Sequence, residues 1–328
     1  MSTCRDAFKN LNIAINQGAI SISPCCLVPT VKTKSINFQD NQYLLQIRHR
    51  WSESDFPPEC ASCQELESKG YTSRRQGANN WYKDHGHDNN QVELVRLDYW
   101  VGDTCNLRCA ICGPNFSSAW KQELNVSPKL KQSVSNQFWK QIDLKRLRFV
   151  HFNGGEPLLS KQHVEFLHAL PNKNLIHLNY NTNGTILPSD ELQNLWQQFR
   201  LVQLDFSIDD IDQRFEYQRY PANWSEVKKN LQWFIETAPH NCMFAVNTSV
   251  GLLNHANLPN LTAWLKENFY VSRFTDPVEH RQQLVQGLFE LEGFQQRRAQ
   301  IVRFLDACDR RRGTDWRKTF PELPAMLD

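Results

Sequence analysis

Ten cysteines mark this chain of 328 residues, and eight of them fall into two groups. The tighter group is Cys105, Cys109 and Cys112, a C-x3-C-x2-C spacing on one short stretch. Three thiolates so placed can hold three irons of a cubane [4Fe–4S] cluster, which normally takes four cysteines. No fourth cysteine lies close by in the sequence, so one iron would stay open to bind and reduce a small ligand. The alternatives are a zinc site and three unrelated buried thiols; zinc usually pairs C-x2-C units with further Cys or His at a distance. The looser group is Cys4, Cys25, Cys26, Cys60 and Cys63. Four of these thiols could surround a second iron–sulfur cluster, with a structural zinc knuckle as the alternative.

Each group needs elements to position it. Leu11 to Ile15 alternates as a strand, Asn16-Gln17-Gly18 is a turn signal and Ala19 to Ser23 alternates again. A β-hairpin would therefore set Cys25 just beyond its second strand. Residues 27 to 59 carry no strong pattern, and residues 64 to 92 read as a polar connector with a short helix stopped at Gly70. His85 and His87 fit an exposed linker better than a metal site.

From residue 93 strands and helices alternate, which argues for a parallel sheet. The strand Leu94 to Val101 delivers the cysteine loop. Phe116 to Leu124 reads as a helix, and Pro128 as the opening of another. Leu147 to Phe152 runs into Asn153-Gly154-Gly155-Glu156-Pro157. Leu175 to Tyr180 runs into Asn181-Thr182-Asn183-Gly184, and Leu201 to Phe206 into Ser207-Ile208-Asp209-Asp210. Further strands are expected over Met243 to Val250, which contains Asn247, and Tyr270 to Phe274. Intervening helices turn Leu192, Leu195 and Trp196, then Val227, Leu231 and Phe234, then Leu258 and Leu261 inward. Beyond residue 276 the pattern is helical, with Ile301, Phe304, Leu305 and Cys308 on one stripe. The arginines of this tail, 297, 298, 303, 310, 311, 312 and 317, read as a solvated face. Cys242 reads as a small buried hydrophobe.

In combination and order, these motifs resemble those of the radical S-adenosylmethionine (SAM) enzymes. That resemblance implies an α/β fold, a partial (β/α)6 TIM barrel, with motifs at the C-terminal strand ends. It implies that SAM chelates the open iron of a [4Fe–4S] cluster on Cys105, Cys109 and Cys112. Cleavage to methionine and a 5′-deoxyadenosyl radical, and hydrogen abstraction from a substrate, would follow. Gly154, Gly155 and Glu156 match the family's Gly-Gly-Glu-Pro motif, glycines giving main-chain access to the methionine end of SAM. Asn183, Ser207, Asp209 and Asn247 fall at positions of SAM contact. Arg219 matches an arginine that pairs with the SAM carboxylate, a task suited to a guanidinium. Ile111 departs from the aromatic common before the third cysteine; an aliphatic there would still shield the cluster. Cys4, Cys25 (or its neighbour Cys26), Cys60 and Cys63 resemble the ligands of a twitch domain, a short relative of SPASM domains, holding an auxiliary [4Fe–4S] cluster. Here that unit precedes the core, whereas in relatives it follows.

The expected organisation is a twitch-like β-hairpin unit and connector over 1–90, the partial barrel over 91–276 and a helical extension over 277–328. The expected activity is a SAM-dependent oxidoreductase, with the auxiliary cluster as electron acceptor and flavodoxin or ferredoxin as electron donor. A ribosomally made peptide is the first substrate expectation and a small alcohol or sugar the second; a non-catalytic redox or binding protein is the competing class. A formal net charge of +2 gives no field for nucleic acid. Hydrophobic content of 40% with 22% charged residues suits a globular enzyme. No apolar run nears the roughly 20 residues of a membrane span, and no signal peptide is apparent, so a reducing cytoplasm is expected.

Overall fold

The computed structural model describes residues 3–16, 19–34, 36–53, 56–126, 137–269, 274–275 and 292–327. They form two compact units, one from within 1–104, 127–180 and 190–202, the other from within 105–126, 181–189 and 203–328. The turn at Gln17 and Gly18, the helix start at Pro128 and Tyr270 to Arg273 of the last expected strand lie outside the described residues.

The first unit is built on a sheet whose strands read β3-β2-β1-β4-β5-β6. These are β1 (Asn10–Asn16), β2 (Ala19–Ser23), β3 (Val31–Thr33), β4 (Arg96–Trp100), β5 (Phe149–Asn153) and β6 (His177–Thr182). β1 and β2 pair antiparallel, as the alternation requires, with Ile13 opposite Ile22. The other edge of β1 pairs parallel with β4, Ile13 opposite Tyr99. The strand leading to the cysteine loop therefore has a parallel neighbour on each side, since β5 joins its far edge with Leu97 opposite Val150. β6 continues the series, Val150 opposite Leu178. Strand alternation sends Leu11, Ile13, Leu97, Tyr99, Val150, Phe152, Leu178 and Tyr180 into the core, all fully buried. Phe152 stacks on Tyr180 at 4.7 Å and Tyr99 meets Phe138 edge-on at 4.9 Å.

Two helices appear where no pattern or a connector was expected. Helix α2 (Gln42–Ser52) follows α1 (Asp6–Lys9) and is capped by Asn41, whose side chain accepts from Tyr43 N and Leu44 N. It buries Leu44, Ile47, Arg48 and Trp51, a stripe at helical spacing. Arg48 was hidden from that stripe by its charge; it donates to the carbonyls of Ala7, Gln39 and Phe38. After α3 (Ala61–Ser68), helix α4 (Arg74–Asp84) opens with a capping box between Ser73 and Gln76 and buries Ala78 and Tyr82. The segment read as a connector thus contains a packed helix.

The remaining helices follow the expected alternation: α5 (Ser118–Glu123), α6 (Lys161–Ala169) and α7 (Asp190–Trp196). In the second unit come β7 (Leu201–Ser207), α8 (Asp212–Gln218), α9 (Trp224–Thr237), β8 (Cys242–Asn247) and α10 (Leu258–Phe269). β9 (Phe274–Thr275) pairs parallel with β8. The fold class is α/β, in the strand–helix order of the partial barrel type. The C-terminal segment supplies α11 (Glu292–Arg312), α12 (Trp316–Thr319) and α13 (Pro324–Leu327). Leu305, Trp316, Phe320 and Leu323 of that segment form a core with Tyr217 and Leu253. Cys308 and Cys242 are buried, as expected of small hydrophobes. No described helix is long and apolar enough to cross a membrane.

Candidate metal centre

The loop carrying Cys105, Cys109 and Cys112 is held largely through its main chain, with the Asn106 side chain as a further anchor. Arg108 N donates to Tyr220 O at 2.6 Å and Ala110 N to Gln218 O at 2.7 Å, so the loop runs along the segment that carries Arg219. Ser118 closes its start, Oγ accepting from Cys105 N and donating to Cys105 O, both at 3.1 Å. Ser117 Oγ donates to Leu107 O at 2.6 Å, and the Trp120 indole donates to Cys109 O at 3.0 Å. Asn183 is joined to the loop, its Nδ2 donating to Asn106 Oδ1 at 3.0 Å while its Oδ1 accepts from Thr185 N.

Burial pushes the Cys109 thiol up to about 12; Arg219 beside it works the other way, and Cys105, Cys112 and Asp209 add to the rise. Three sulfurs, a guanidinium and a carboxylate therefore share one small region. A thiol so buried ionises when a cation takes the proton's place, so metal binding would release protons. Arg219 is itself buried. Burial opposes its charge, but Asp209, whose Oδ2 lies 2.6 Å from Nη2, together with Cys109 and Cys105 keeps its pKa above the ordinary value. Asp209 is fixed in turn: its Oδ1 accepts from Ser249 N at 2.8 Å and its carbonyl from Asn254 Nδ2 at 2.8 Å. Beside the cysteines a polar atom is left over. The Nε of Arg219 is buried and has no hydrogen-bond partner, a cost of about 1–3 kcal/mol unless a ligand accepts from it.

Among the described residues, no three His, Cys, Asp or Glu side chains converge on a point where a single ion would sit. A cubane asks for something else, since each of its cysteines binds a different iron at a different corner. The donor set, three thiols with a buried cation facing them, fits that requirement. Ser207 and Asn247 occupy the last positions of β7 and β8, the second strand ending at Asn247 rather than at Val250. Ile111 is 56% exposed in the structure.

The glycine turn, in the first unit, is also required by packing. A Cβ on Gly155 would lie 2.2 Å from the carbonyl oxygen of Thr104, and one on Gly154 would lie 2.6 Å from that of Gly102. Gly154 also has φ +137°, which side chains rarely tolerate. The missing side chains admit the chain leaving β4: Gly155 N donates to Gly102 O at 2.9 Å and Glu156 N to Thr104 O at 2.8 Å. Glu156 is buried, and its side chain accepts from Leu158 N at 3.2 Å.

The N-terminal thiols also gather. Cys4 and Cys25 lie in one apolar cluster with Phe8, Val28, Ile47 and Trp51, and Cys60 packs against it. Burial raises the Cys4 thiol well above its ordinary value, with Asp6, Cys25 and Cys60 adding to the effect. Burial likewise pushes Cys60 up to about 11; neighbouring Cys63 adds, and the Trp51 indole N–H opposes. Of the Cys25–Cys26 doublet, Cys25 faces this group. Cys26 is exposed and is influenced, after burial, by Arg74, Asp98 and Asp6 rather than by other thiols.

Several residues around these sites were not singled out from the sequence. Arg312 was assigned to a solvated face, yet its side chain is only 2% exposed. It donates to Arg108 O at 3.0 Å, lies over the Trp120 and Tyr220 rings at 4.7 and 4.8 Å, and stands 3.5 Å from Glu123. A run of arginines does not reveal which member turns inward. Arg74 is another such residue: it bridges the buried carboxylates of Asp6 and Asp98, at 3.6 and 3.2 Å.

Residues 100–255 match the family model described as Radical SAM superfamily. Curated relatives include a GTP 3',8-cyclase of Actinobacillus pleuropneumoniae serotype 5b (strain L20), 28% identical over 200 residues, covering 58% of this chain and 55% of that protein. The serotype 7 (strain AP76) protein of the same name is 34% identical over 200 residues, with the same coverage. The chain thus spans about half the length of the curated relatives it matches. Among solved structures, Streptococcus suis SuiB aligns over 84% of this chain and 62% of its own at 14% identity, with a TM-score of 0.37. The native anSMEcpe structure with bound AdoMet and Cp18Cys peptide aligns over 56% of this chain and 50% of its own at 16% identity, with a TM-score of 0.38.

Proposed function

We propose, from the match of residues 100–255 to the Radical SAM superfamily model, that this chain is a radical SAM enzyme that cleaves SAM to abstract hydrogen from an organic substrate. In this reading Cys105, Cys109 and Cys112 hold a [4Fe–4S] cluster whose open iron takes SAM. Bound there, cluster and cofactor supply an electron and a 5′-deoxyadenosyl radical. The chain's own part is to hold and orient. Arg219 is the residue for the SAM carboxylate, and the observation that carries this is its buried Nε without a partner, beside Cys109. Asp209 keeps that guanidinium in place, while Asn183 ties the cysteine loop to the turn after β6. Ser207, Asp209 and Asn247 remain the residues for the nucleoside, and Gly154, Gly155 and Glu156 for the methionine end.

The finer reading is an oxidoreductase with a second [4Fe–4S] cluster on Cys4, Cys25, Cys60 and Cys63 that accepts the substrate's second electron. The shared cluster of Cys4, Cys25 and the partly buried Cys60, with Cys63 beside Cys60, supports it. The four-cysteine unit favours a ribosomally made peptide as substrate, with flavodoxin or ferredoxin supplying the first electron. The curated relatives' name supports a second reading, cyclisation of GTP, although the match covers only about half of those proteins.

The test is anaerobic reconstitution, reduction and assay for 5′-deoxyadenosine. The expected result is slow formation from SAM without substrate, abolished in Cys105→Ala. Cleavage that persists in Cys105→Ala would overturn the assignment. Adding GTP, or a short peptide encoded beside the gene, separates the two substrate readings by which one accelerates SAM consumption and changes mass.

A further inference from the structure

The first unit carries a cationic cavity that none of these roles uses. It measures about 190 Å³ and is lined by Trp81, His85, His87, Arg148, His177 and Arg200, with two leucines. His177 opens β6 and Arg148 immediately precedes β5. The cavity therefore lies at the N-terminal ends of these parallel strands, away from the turn at Gly154 and Gly155.

Positive charge here is not balanced. The Arg148 Nη1 bonds only to the carbonyls of Lys145 and Leu147, and Arg200 has no ion pair among the described residues. Arg96 stands behind, its guanidinium over the Trp81 and Phe149 rings at 4.7 and 4.4 Å. Among the described residues the nearby carboxylate is Glu93, 3.6 Å from His87, and Lys9 and Arg146 already hold it at 2.8 and 3.0 Å. The Nε2 of His177 is buried without a hydrogen-bond partner. Burial drives His177 down to about 4, and Arg96, His85 and Arg200 push the same way, so its ring is neutral and free to donate one N–H. Unpaired cations around a concave surface are the donor set for an anion with several oxygens. The occupant must be small, because ligand pockets for drug-sized molecules run to roughly 300–1,000 Å³.

We propose that this cavity binds a phosphate group, free or as the monoester of a small metabolite, with Arg148 and Arg200 on its oxygens and His177 donating from the buried side. The proposal is independent of the SAM reading. Its test is the melting temperature of the full chain in sodium phosphate against sodium chloride at matched ionic strength, so that general screening cancels. Phosphate should raise the midpoint saturably by a few degrees, as a ligand of the folded state does. The shift should vanish in Arg148→Gln/Arg200→Gln and persist in Lys266→Gln, an exposed cation on α10. If the double variant does not fold, Arg200→Gln alone, at an exposed position, carries the same comparison. Glycerol 3-phosphate binding at least tenfold more tightly than inorganic phosphate identifies a monoester; equal binding identifies free phosphate. A midpoint no higher in phosphate than in chloride, a shift that acetate reproduces, or one that survives loss of both arginines overturns the proposal.

Discussion

Single residues decide whether the site can assemble. Gly155 leaves no room for a methyl group, since the obstructing atom is a main-chain oxygen that cannot swing away. Gly155→Ala should therefore cost about 1–3 kcal/mol, read as a drop in the denaturation midpoint. Gly77, inside α4, has open space where a Cβ would stand; Gly77→Ala should stabilise by about 0.5–1 kcal/mol. Equal midpoints for the two variants would refute this account of the glycine turn. Arg219 can be probed without stranding Asp209, because Arg219→Lys keeps the charge and removes the planar fork. SAM affinity, measured by equilibrium binding to reconstituted protein, should fall about tenfold, the worth of one charge-assisted bond at roughly 1.5 kcal/mol. Unchanged affinity would remove Arg219 from the cofactor site.

Elements carry the site through contacts that propensity does not encode. The cysteine loop has no regular structure of its own; it borrows order from the end of α8 and the residues just after it, and from the last turn of α11. Arg312→Ala removes a donor from the Arg108 carbonyl and a cation from above Trp120 and Tyr220. It should lower the iron retained by the loop and its sulfur-to-iron charge-transfer absorbance, while Arg310→Ala, the control, should not. Iron content identical in both variants would show that the helix does not brace the loop. The stripe of Leu44, Ile47 and Trp51 in α2 was present in the sequence but interrupted by Arg48. Its guanidinium is buried because carbonyls satisfy it, a circumstance only the folded chain supplies. The capping box at Ser73 and Gln76 was also legible, yet the polar residues of α4 masked the helix it opens.

For the molecule as a whole, the decisive quantity is metal stoichiometry. Two cubanes require about eight irons per chain, whereas a zinc knuckle at the N-terminal thiols would leave about four irons and one zinc. We expect the higher iron count after anaerobic reconstitution, measured by elemental analysis. Zinc in place of the second set of irons would overturn the auxiliary cluster and leave the proposal for the Cys105 loop untouched. Pairing of β1 with β4 joins the hairpin that precedes Cys25 to the strand before Cys105 through one parallel register. That the family model begins at residue 100 leaves the hairpin outside the matched region.

Read alone, the chain's letters settled what depends on short-range order. Strand alternation and the succession of turn motifs specify sheet class and the order of the elements, because each is a local pattern with its own period. Folding decided everything that depends on distance between remote positions: Cys25 rather than Cys26 facing the other thiols, Arg312 turned inward, β1 seated beside β4, and Arg219 beside Asp209. Such outcomes hang on which buried charge finds a partner and which carbonyl a backbone must meet. Those are properties of packed neighbours, which no window along the sequence contains.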